Sequence, residues 1–321
     1  MSTARTPSSS PTCNATSRSH APVLDSIVDA LCAEDRGILR HVRKPPCAEP
    51  LPSAATVASL VEQLRATIFP GYFGADELSP ENARYHLGHI LDKVRRGLRT
   101  QIKRGICFSC DPTAPKPDCA DRATQVTDAF LKRLPDIQMA LMDDAQAAYE
   151  GDPAAVSPDE AIFCYPGLRA ITDYRIAHEL HLLGVPLLPR MITEHAHGAT
   201  GIDIHPGAQI DRRFFIDHGT GVVIGETCVI GRGVRLYQGV TLGAKSFPLD
   251  ENGKPIKGIA RHPILEDDVI VYSGATILGR ITIGRGSVIG GNVWLTRGVP
   301  PNSRIAQQAP RQEVFVDGGG I

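Results

Sequence analysis

The sequence lacks three features that would place it in a broad functional class. Its 34 Lys and Arg nearly cancel its 35 Asp and Glu, so it has no electrostatic footprint for nucleic acid or an acidic membrane. No stretch approaches the apolar length of a bilayer span, and no apolar signal-peptide core follows the first residue. Its eight cysteines are scattered, without the density of a disulfide scaffold. These absences predict a cytoplasmic protein that binds neither nucleic acid nor membrane.

The last third of the chain carries a branched aliphatic residue at every sixth position. The six-residue spacing holds within three runs, which are Ile204, Ile210 and Ile216, then Ile224, Ile230, Leu236 and Leu242, then Leu265, Val271, Ile277, Ile283, Ile289 and Leu295. A period of six fits neither a helix nor simple strand alternation, and it is the period of hexapeptide repeats. Three hexads close one triangular coil with the aliphatic side chains on its axis, each contributing roughly 1.5 to 3 kcal/mol before entropy is subtracted. A sandwich of short strands would not keep one spacing from Leu265 to Leu295.

The region before the repeats has helical periodicity. Amphipathic spacing predicts helices over residues 55–68, 80–102, 122–150 and 167–183. We therefore predict an α+β chain, with an all-α helical domain at 22–200 followed by a left-handed parallel β-helix at 201–303. Residues 1–21, rich in Ser, Thr, Pro and Arg, are predicted to be disordered, with an organelle transit peptide as the alternative. Residues 304–321 are predicted to form a flexible tail.

Chemistry is expected where the repeat is interrupted, because regular coils are a monotonous scaffold. Eight residues instead of six separate Ile216 from Ile224, and the added length surrounds His218. Asp203 lies fifteen residues earlier, slightly less than one coil, so the winding could bring its carboxylate to the imidazole as the orienter of a general base. The alternative is a corner histidine satisfied by backbone. The second interruption is an inserted loop, 243–264.

At these residues the chain resembles the serine acetyltransferases, and the likeness covers roughly residues 134–301. The matching segments are Asp203-Ile204-His205-Pro206, Asp217-His218-Gly219-Thr220-Gly221, Gly225-Glu226-Thr227, Thr241-Leu242-Gly243, Arg261-His262-Pro263 and, upstream, Asp136-Ile137-Gln138, Gly151-Asp152-Pro153-Ala154 and Tyr174-Arg175-Ile176-Ala177-His178.

The resemblance implies acetyl transfer from acetyl-CoA to the hydroxyl of L-serine, with no metal required. It implies His218 as the general base, with Asp203 orienting it and His262 assisting near the thioester. The residues implied in gripping serine are Asp152, Asp217, Arg261 and Glu226. The residues implied in backbone contacts to coenzyme A are Gly243, Ala244 and Ser273. Two departures bear on the acyl-donor site: Ala244 replaces the family's usual second glycine, and the insertion is longer than the common glycine-rich loop.

The resemblance also implies partners. Family members trimerise through the β-helix and pair their trimers through the helical domain, so a homotrimer or hexamer is expected. The C-terminal Gly318-Gly319-Gly320-Ile321 run is similar to the tail that enters the active site of O-acetylserine sulfhydrylase in the cysteine synthase complex. Capture of a terminal carboxylate by backbone donors is the physical mode. A disordered tail without a partner is the alternative.

Other interpretations stay open at this point. The same scaffold could acetylate another small hydroxyl or amine, or keep only a scaffolding role toward cysteine synthase. A metal-dependent lyase of the γ-carbonic anhydrase type would need three histidines, for which the candidates are His205, His218 and His262. A zinc site in the helical region is the alternative to plain thiols for Cys107, Cys110 and Cys119. His195 and His197 are interpreted as solvent-facing or capping residues rather than as metal ligands.

Overall fold

A computed structural model of the chain describes residues 21–33, 49–74, 78–110 and 118–308. The chain divides into two compact units, residues 1–48 and residues 49–321. In the first unit the structure describes helix α1 (Ala21–Cys32), whose large apolar side chains are exposed. The predicted N-terminal segment before residue 21 and the tail that ends at Ile321 lie outside the described residues. No helix in the described ranges is both long enough and apolar enough to cross a bilayer.

The second unit opens with a helical region, as predicted. Its helices are α2 (Ala54–Ile68), α3 (Pro80–Ser109), α4 (Cys119–Leu131), α5 (Leu134–Gly151), α6 (Pro158–Cys164), α7 (Pro166–Leu182) and α8 (Leu188–Thr200). The segment 122–150, predicted as one helix, is two helices. Pro135 occupies the first turn of α5, where a missing N–H costs nothing, and it cannot continue α4 because its ring clashes with the preceding turn.

Over the described residues 201–308 fourteen short strands follow, and they build a left-handed parallel β-helix. The strands are β1 (Asp203–Ile204), β2 (Gln209–Ile210), β3 (Phe215–Ile216), β4 (Val223–Ile224), β5 (Val229–Ile230), β6 (Arg235–Leu236), β7 (Thr241–Gly243), β8 (Ile264–Leu265), β9 (Ile270–Val271), β10 (Thr276–Leu278), β11 (Thr282–Ile283), β12 (Val288–Ile289), β13 (Trp294–Leu295) and β14 (Arg304–Ile305). They form three parallel sheets. Sheet I contains β1, β4, β7, β10 and β13; sheet II contains β2, β5, β8 and β11; sheet III contains β3, β6, β9, β12 and β14.

The register stacks each predicted aliphatic residue on its equivalent one coil away. Ile204 pairs with Ile224 and then Leu242 in sheet I, and Ile210 aligns with Ile230 in sheet II. All thirteen positions are buried except Leu295, which is half-buried in the last coil. The hexad spacing therefore predicted both the architecture and its core.

The helical region docks onto the first coil through buried polar contacts from α7. Arg175 binds both carboxylate oxygens of Asp144 on α5, at 2.7 and 3.0 Å, and its remaining donors reach the carbonyls of Ile210 and Asp211. The N–H of Phe214 donates to the same carboxylate at 2.9 Å. Because the pair is buried and each partner has further hydrogen bonds, it fixes the helices against the coil.

The first turn of α7 lies against the turn that follows β3. A Cβ on Gly167 would stand 2.2 Å from the carbonyl oxygen of Ile216, closer than any side chain can approach. Only glycine therefore permits this contact. The consequence is that the helical region abuts the coil immediately before Asp217 and His218.

A second buried carboxylate lies in α7 and, unlike that of Asp144, accepts no hydrogen bond from the described residues. Asp173 is fully buried, and neither of its oxygens has a hydrogen-bond partner among the described residues. Burial raises its pKa to about 7, although Arg65 and Arg169 oppose the rise and Glu62 adds to it. The helical region thus contains a buried acid that changes its protonation state near neutral pH.

Candidate active site

The eight-residue spacing between Ile216 and Ile224 forms an irregular turn between sheet III and sheet I. We call residues 217–221 of this turn the His218 corner. The backbone of His218 is left-handed, with φ of 54°, and Gly219 and Gly221 also have positive φ. The ring of His218 is 74% exposed, and its Nε2 lies 3.9 Å from Oδ1 of Asp217, which is 17% exposed. The turn therefore projects an imidazole into solvent beside a half-buried carboxylate.

The helical region contributes a second carboxylate near this corner. Asp152 caps the C-terminus of α5, and it accepts a hydrogen bond from the hydroxyl of Tyr165 at 2.6 Å. Its other oxygen accepts from the N–H of Ala154 at 2.8 Å. These hydrogen bonds, with Tyr165 first, lower the pKa of Asp152, and the charge of His218 acts in the same direction. Two carboxylates thus flank His218.

The position of Asp152 is set by the second coil. Arg235 on β6 donates to the carbonyl of Gly151 at 3.1 Å. A Cβ on Gly151 would stand 2.7 Å from the ring of Phe215 and 3.0 Å from the guanidinium of Arg235. A glycine before Asp152 therefore lets the end of α5 lie against the coil.

Asp203 occupies a different environment from the one that its spacing predicts. Its carboxylate groups with Glu194 and His197 of α8, with the ligand atoms of all three within 4.8 Å of one another. Its strand pairs with β4, which follows the His218 corner. A role in orienting His218 would therefore require a change from the side-chain positions described.

The segments Gly225-Glu226-Thr227 and Arg261-His262 interlock at the turn between sheet I and sheet II. We call these five residues the His262 corner. Glu226 accepts from Nη2 of Arg261 at 2.7 Å. A Cβ on Gly225 would stand 2.0 Å from Cδ2 of His262, so the ring lies flat on that glycine. The N–H of Thr227 donates to Nδ1 of His262 at 3.1 Å, and its hydroxyl lies 2.9 Å from the same nitrogen.

The charge of Arg261 acts on the pKa values of two neighbouring groups, His262 and Glu226. Burial, assisted by the adjacent charge of Arg261, lowers the pKa of His262 to about 4. His262 is therefore neutral near pH 7. Partial burial raises the pKa of Glu226, but the hydrogen bond and charge of Arg261 outweigh it, so the net shift is downward. The corner thus presents a fixed guanidinium–carboxylate pair and a neutral imidazole.

The insertion between β7 and β8 folds back on itself beside this corner. Leu249 and Pro255 form an antiparallel bridge, and the N–H of Asp250 donates to the carbonyl of Lys254 at 2.8 Å. A cavity of about 430 Å³ lies between this hairpin and the Glu226–Arg261 pair. The hairpin therefore forms one wall of a space that opens on Arg261.

The residues that the resemblance implies for coenzyme A lie along two different edges of the triangular coil, next to the two corners in later coils. Gly243 ends β7 and Ala244 follows it, at the turn from which the insertion leaves. The carbonyl of Gly243 accepts from the N–H of Gly279 at 3.0 Å in the next coil. Ser273 lies instead at the turn after β9, where its carbonyl accepts from Asn292 at 2.9 Å. Ser273 therefore lies on the same edge of the coil as His218, whereas Gly243 and Ala244 lie on the same edge as His262.

One side of the triangular coil separates the two corners. The His218 corner precedes β4 and the His262 corner follows it, so the two corners stand at opposite ends of a side built from one six-residue repeat. At about 3.3 Å per extended residue this side is roughly 15 to 20 Å long, whereas reacting groups must approach to about 3 to 3.5 Å. One copy of the chain therefore does not bring His218 and His262 to the same substrate.

Two cysteine predictions can be compared with the structure. Cys228 is buried, and burial raises its pKa to about 12, in keeping with a packed thiol. Cys110 and Cys119 bring their sulfurs to 3.5 Å, and Cys107 is buried one helical turn earlier in α3. In the described ranges these three thiols do not form a group with all ligand atoms within 4.8 Å.

Four residues that form these corners or hold Asp152 beside them were not predicted as site residues. They are Tyr165, Gly225, Thr227 and Arg235. Gly225 and Thr227 belong to the segment that suggested Glu226. Their contacts with Arg261 and His262, however, join residues 34 to 37 positions apart in the chain. Tyr165 and Arg235 carried no signal in the sequence, because their partners belong to α5.

Known proteins resemble the chain in both sequence and fold. The family model for the bacterial transferase hexapeptide (six repeats) matches residues 262–297. The chain is 53% identical to the plasmid serine acetyltransferase of Synechococcus elongatus over 302 residues, which is 93% of this chain and 95% of that protein. It is similar to the crystal structure of serine acetyltransferase 1 from Entamoeba histolytica in complex with L-cysteine, with a TM-score of 0.68 and 36% identity, covering 81% of this chain and 88% of that one.

A second solved structure is more distant. It is the serine acetyltransferase of Neisseria gonorrhoeae in complex with serine, with a TM-score of 0.51 and 27% identity over 79% of this chain and 97% of that one. The relatives that cover most of the chain carry the same activity in their names, and they share its helical region as well as its repeats. The chain therefore belongs to the serine acetyltransferase family and is an acyltransferase.

Proposed function

We propose that the chain transfers the acetyl group of acetyl-CoA to the hydroxyl of L-serine, giving O-acetyl-L-serine. The observation that carries the proposal is the distribution of charge over the two corners. Carboxylates of Asp152 and Asp217 flank His218, whereas the His262 corner presents the guanidinium of Arg261. A free amino acid carries both a positive and a negative group, so it needs both kinds of partner.

In this mechanism the imidazole of His218 takes the proton of the serine hydroxyl. The oxygen attacks the thioester carbonyl, the carbon–sulfur bond breaks, and the coenzyme A thiolate leaves with the proton that His218 returns. Asp203 is proposed to orient His218 after its carboxylate turns from Glu194 and His197 of α8, where the structure places it. His262 is proposed to assist at the reacting carbonyl. Direct attack is favoured because Cys228, the thiol nearest in sequence to this chemistry, is buried and protonated.

Serine binding divides between the corners. The amino group is proposed to bind Asp152 and Asp217, both of which lie beside His218. The carboxylate is proposed to bind Arg261, whose planar donors match its two oxygens. Glu226 then holds the guanidinium in place from the other side, at 2.7 Å.

We propose that a second copy of the chain completes the site. In a cyclic trimer each interface joins two different patches of the same protein. The His218 corner of one copy and the His262 corner of the next are two such patches, each with half of the required groups. Pairing them also brings Ser273 of one copy toward Gly243 and Ala244 of the next, which makes a channel for coenzyme A. A homotrimer is the minimal assembly, and a hexamer formed through the helical region is the larger one proposed.

The partner and location predictions remain proposals. Binding to O-acetylserine sulfhydrylase is proposed through Ile321, which lies outside the described residues. Deletion of Ile321 is expected to abolish co-elution with the sulfhydrylase while acetyl transfer continues. Unchanged co-elution would refute this partner. A cytoplasmic location is likewise proposed and requires localisation of the tagged protein.

The central experiment is thiol release from acetyl-CoA with L-serine for the native protein and His218→Ala. Loss of a general base is expected to lower kcat by about two to four orders of magnitude. A panel of other hydroxyl and amine acceptors tests the alternative substrate class. Turnover of another acceptor in preference to serine would refute the serine assignment, and a fully active His218→Ala variant would refute the base.

A further inference from the structure

Thr227 is the residue through which the His262 corner is held together. Its N–H donates to Nδ1 of His262 at 3.1 Å, and its Oγ1 lies 2.9 Å from that nitrogen. The same Oγ1 accepts from the backbone N–H groups of Arg261 at 2.9 Å and His262 at 3.2 Å. Its carbonyl accepts from Nη1 of Arg280 at 2.6 Å. Every polar atom of Thr227 is therefore hydrogen-bonded, and its N–H and Oγ1 are bonded within this corner.

The pattern of donors fixes the position of the ring proton. A hydroxyl has one hydrogen and two acceptor lone pairs. The two backbone N–H groups occupy both acceptors of Oγ1, so its hydrogen is directed to Nδ1 of His262. A backbone N–H can only donate, and it faces the same nitrogen. Since Nδ1 accepts from two donors it is unprotonated, and the neutral ring carries its hydrogen on Nε2.

The surroundings of the ring act in the same direction. His262 is buried and lies next to the charge of Arg261, both of which disfavour a second proton. Gly225 supports the ring face, because any side chain there would stand about 2 Å from Cδ2 and Nε2. The ring is thus held flat on one residue and anchored at one nitrogen by another.

We propose that Thr227 is a positioning residue that holds His262 as a neutral Nε2–H donor toward the reacting thioester carbonyl. His262 then stabilises the charge that develops on that oxygen, and it does not act as a second base. The inference rests on the proposed acetyl transfer, because the acceptor of this hydrogen bond is the thioester carbonyl. It identifies Thr227 as acting through His262 without contact with substrate.

The kinetic test uses Thr227→Val, which keeps the shape and the backbone N–H but removes the hydroxyl. We expect kcat to fall by about tenfold to a hundredfold, the range for losing the group that orients a site residue. KM for serine is expected to change by less than about threefold, because Arg261 still binds its carboxylate. Thr227→Ser is expected to restore most of kcat, and Thr282→Val on the exposed face of β11 serves as the matched control.

Two kinetic outcomes would overturn the proposal. One is a Thr227→Val variant with native kcat. The other is a loss that Thr227→Ser repeats in full, which would indicate packing of the methyl group instead of the hydroxyl bond.

A second measurement reads the tautomer without any substrate. Protein labelled with ¹⁵N-histidine is studied by long-range ¹H–¹⁵N correlation, and the His262 signals are assigned by their loss in His262→Gln. We expect an unprotonated Nδ1 and a protonated Nε2 in the native protein from about pH 5 to pH 9, and a mixture of tautomers in Thr227→Val. A native Nδ1–H form would overturn the proposal. If the protein failed to acetylate serine, the proposed function would fall, whereas this spectrum would still decide the role of Thr227.

Discussion

Mixing two inactive variants tests whether the reaction site lies between two copies of the chain. His218→Ala removes the proposed base from one corner, and His262→Ala removes the proposed donor from the other. Each variant alone assembles only defective sites. In a mixed trimer, however, one kind of interface joins the intact His218 corner of one chain to the intact His262 corner of its neighbour.

The recovery follows from the cyclic geometry. In a random one-to-one mixture about a quarter of interfaces combine the two intact corners in the correct order. If the two chains carry different affinity tags and doubly tagged trimers are isolated, one of three interfaces is intact, so activity is expected at about a third of native. Each parent variant is expected to lie about two orders of magnitude or more below native. The activity expected of the mixed trimers is therefore far above the activity expected of either parent variant.

The assay is thiol release at saturating serine and acetyl-CoA, with the two variants co-expressed so that their chains assemble together. A control pairs His218→Ala with a chain carrying both substitutions, which provides no intact interface in any order. Activity of the mixed trimers at the level of the parent variants would refute the shared site and would require His218 and His262 to meet within one copy.

Three further predictions concern stability and the insertion. Asp144→Ala leaves the guanidinium of Arg175 buried without its partner. It is expected to lower the free energy of unfolding by about 3 to 5 kcal/mol, measured by denaturant titration. A loss below about 1 kcal/mol would contradict the role of this pair in docking the helices on the coil. Because burial raises the pKa of Asp173 to about 7, the folded state holds a proton that the unfolded chain releases near its usual pKa, so stability should fall as pH rises from about 4 to 7 by at most about 4 kcal/mol. Asp173→Asn is expected to flatten that profile in denaturant titrations at several pH values, and an unchanged slope would count against it. Replacing residues 246–258 with a short glycine linker is expected to raise KM for acetyl-CoA, and an unchanged KM would show that the hairpin does not cover the donor channel.

The hexad spacing predicted the β-helix because a period of six has one structural solution. Each coil repeats the same burial problem, so position in sequence determines position on the axis, and Ile204 through Ile289 are buried as predicted. Helix boundaries were less predictable. The break before Pro135 lay inside one continuous amphipathic pattern, where a single proline determines whether one helix or two will form.

The proposed site could be predicted to the extent that it lies at irregularities of the repeat. His218 was proposed because two extra residues surround it, and Arg261 and His262 stand where the insertion ends. The contacts of Thr227 were not predictable in the same way, because the length of the insertion conceals which residues meet across it. The neighbours of Asp203 were missed because they belong to α8, whose packing against the first coil leaves no periodic signal in the sequence.

The close approach of Gly167 to Ile216 has a consequence for how this protein can be divided. The carbonyl of Ile216 immediately precedes the His218 corner, and the first turn of α7 covers it with no room for a Cβ. A fragment containing only the repeats would leave that peptide group open to solvent and would lose the end of α5 that supplies Asp152. Excised coils are therefore expected to keep their stacked aliphatic interior while the proposed serine site loses its shape. A minimal enzyme built from this scaffold must therefore retain the helices that pack against the first coil.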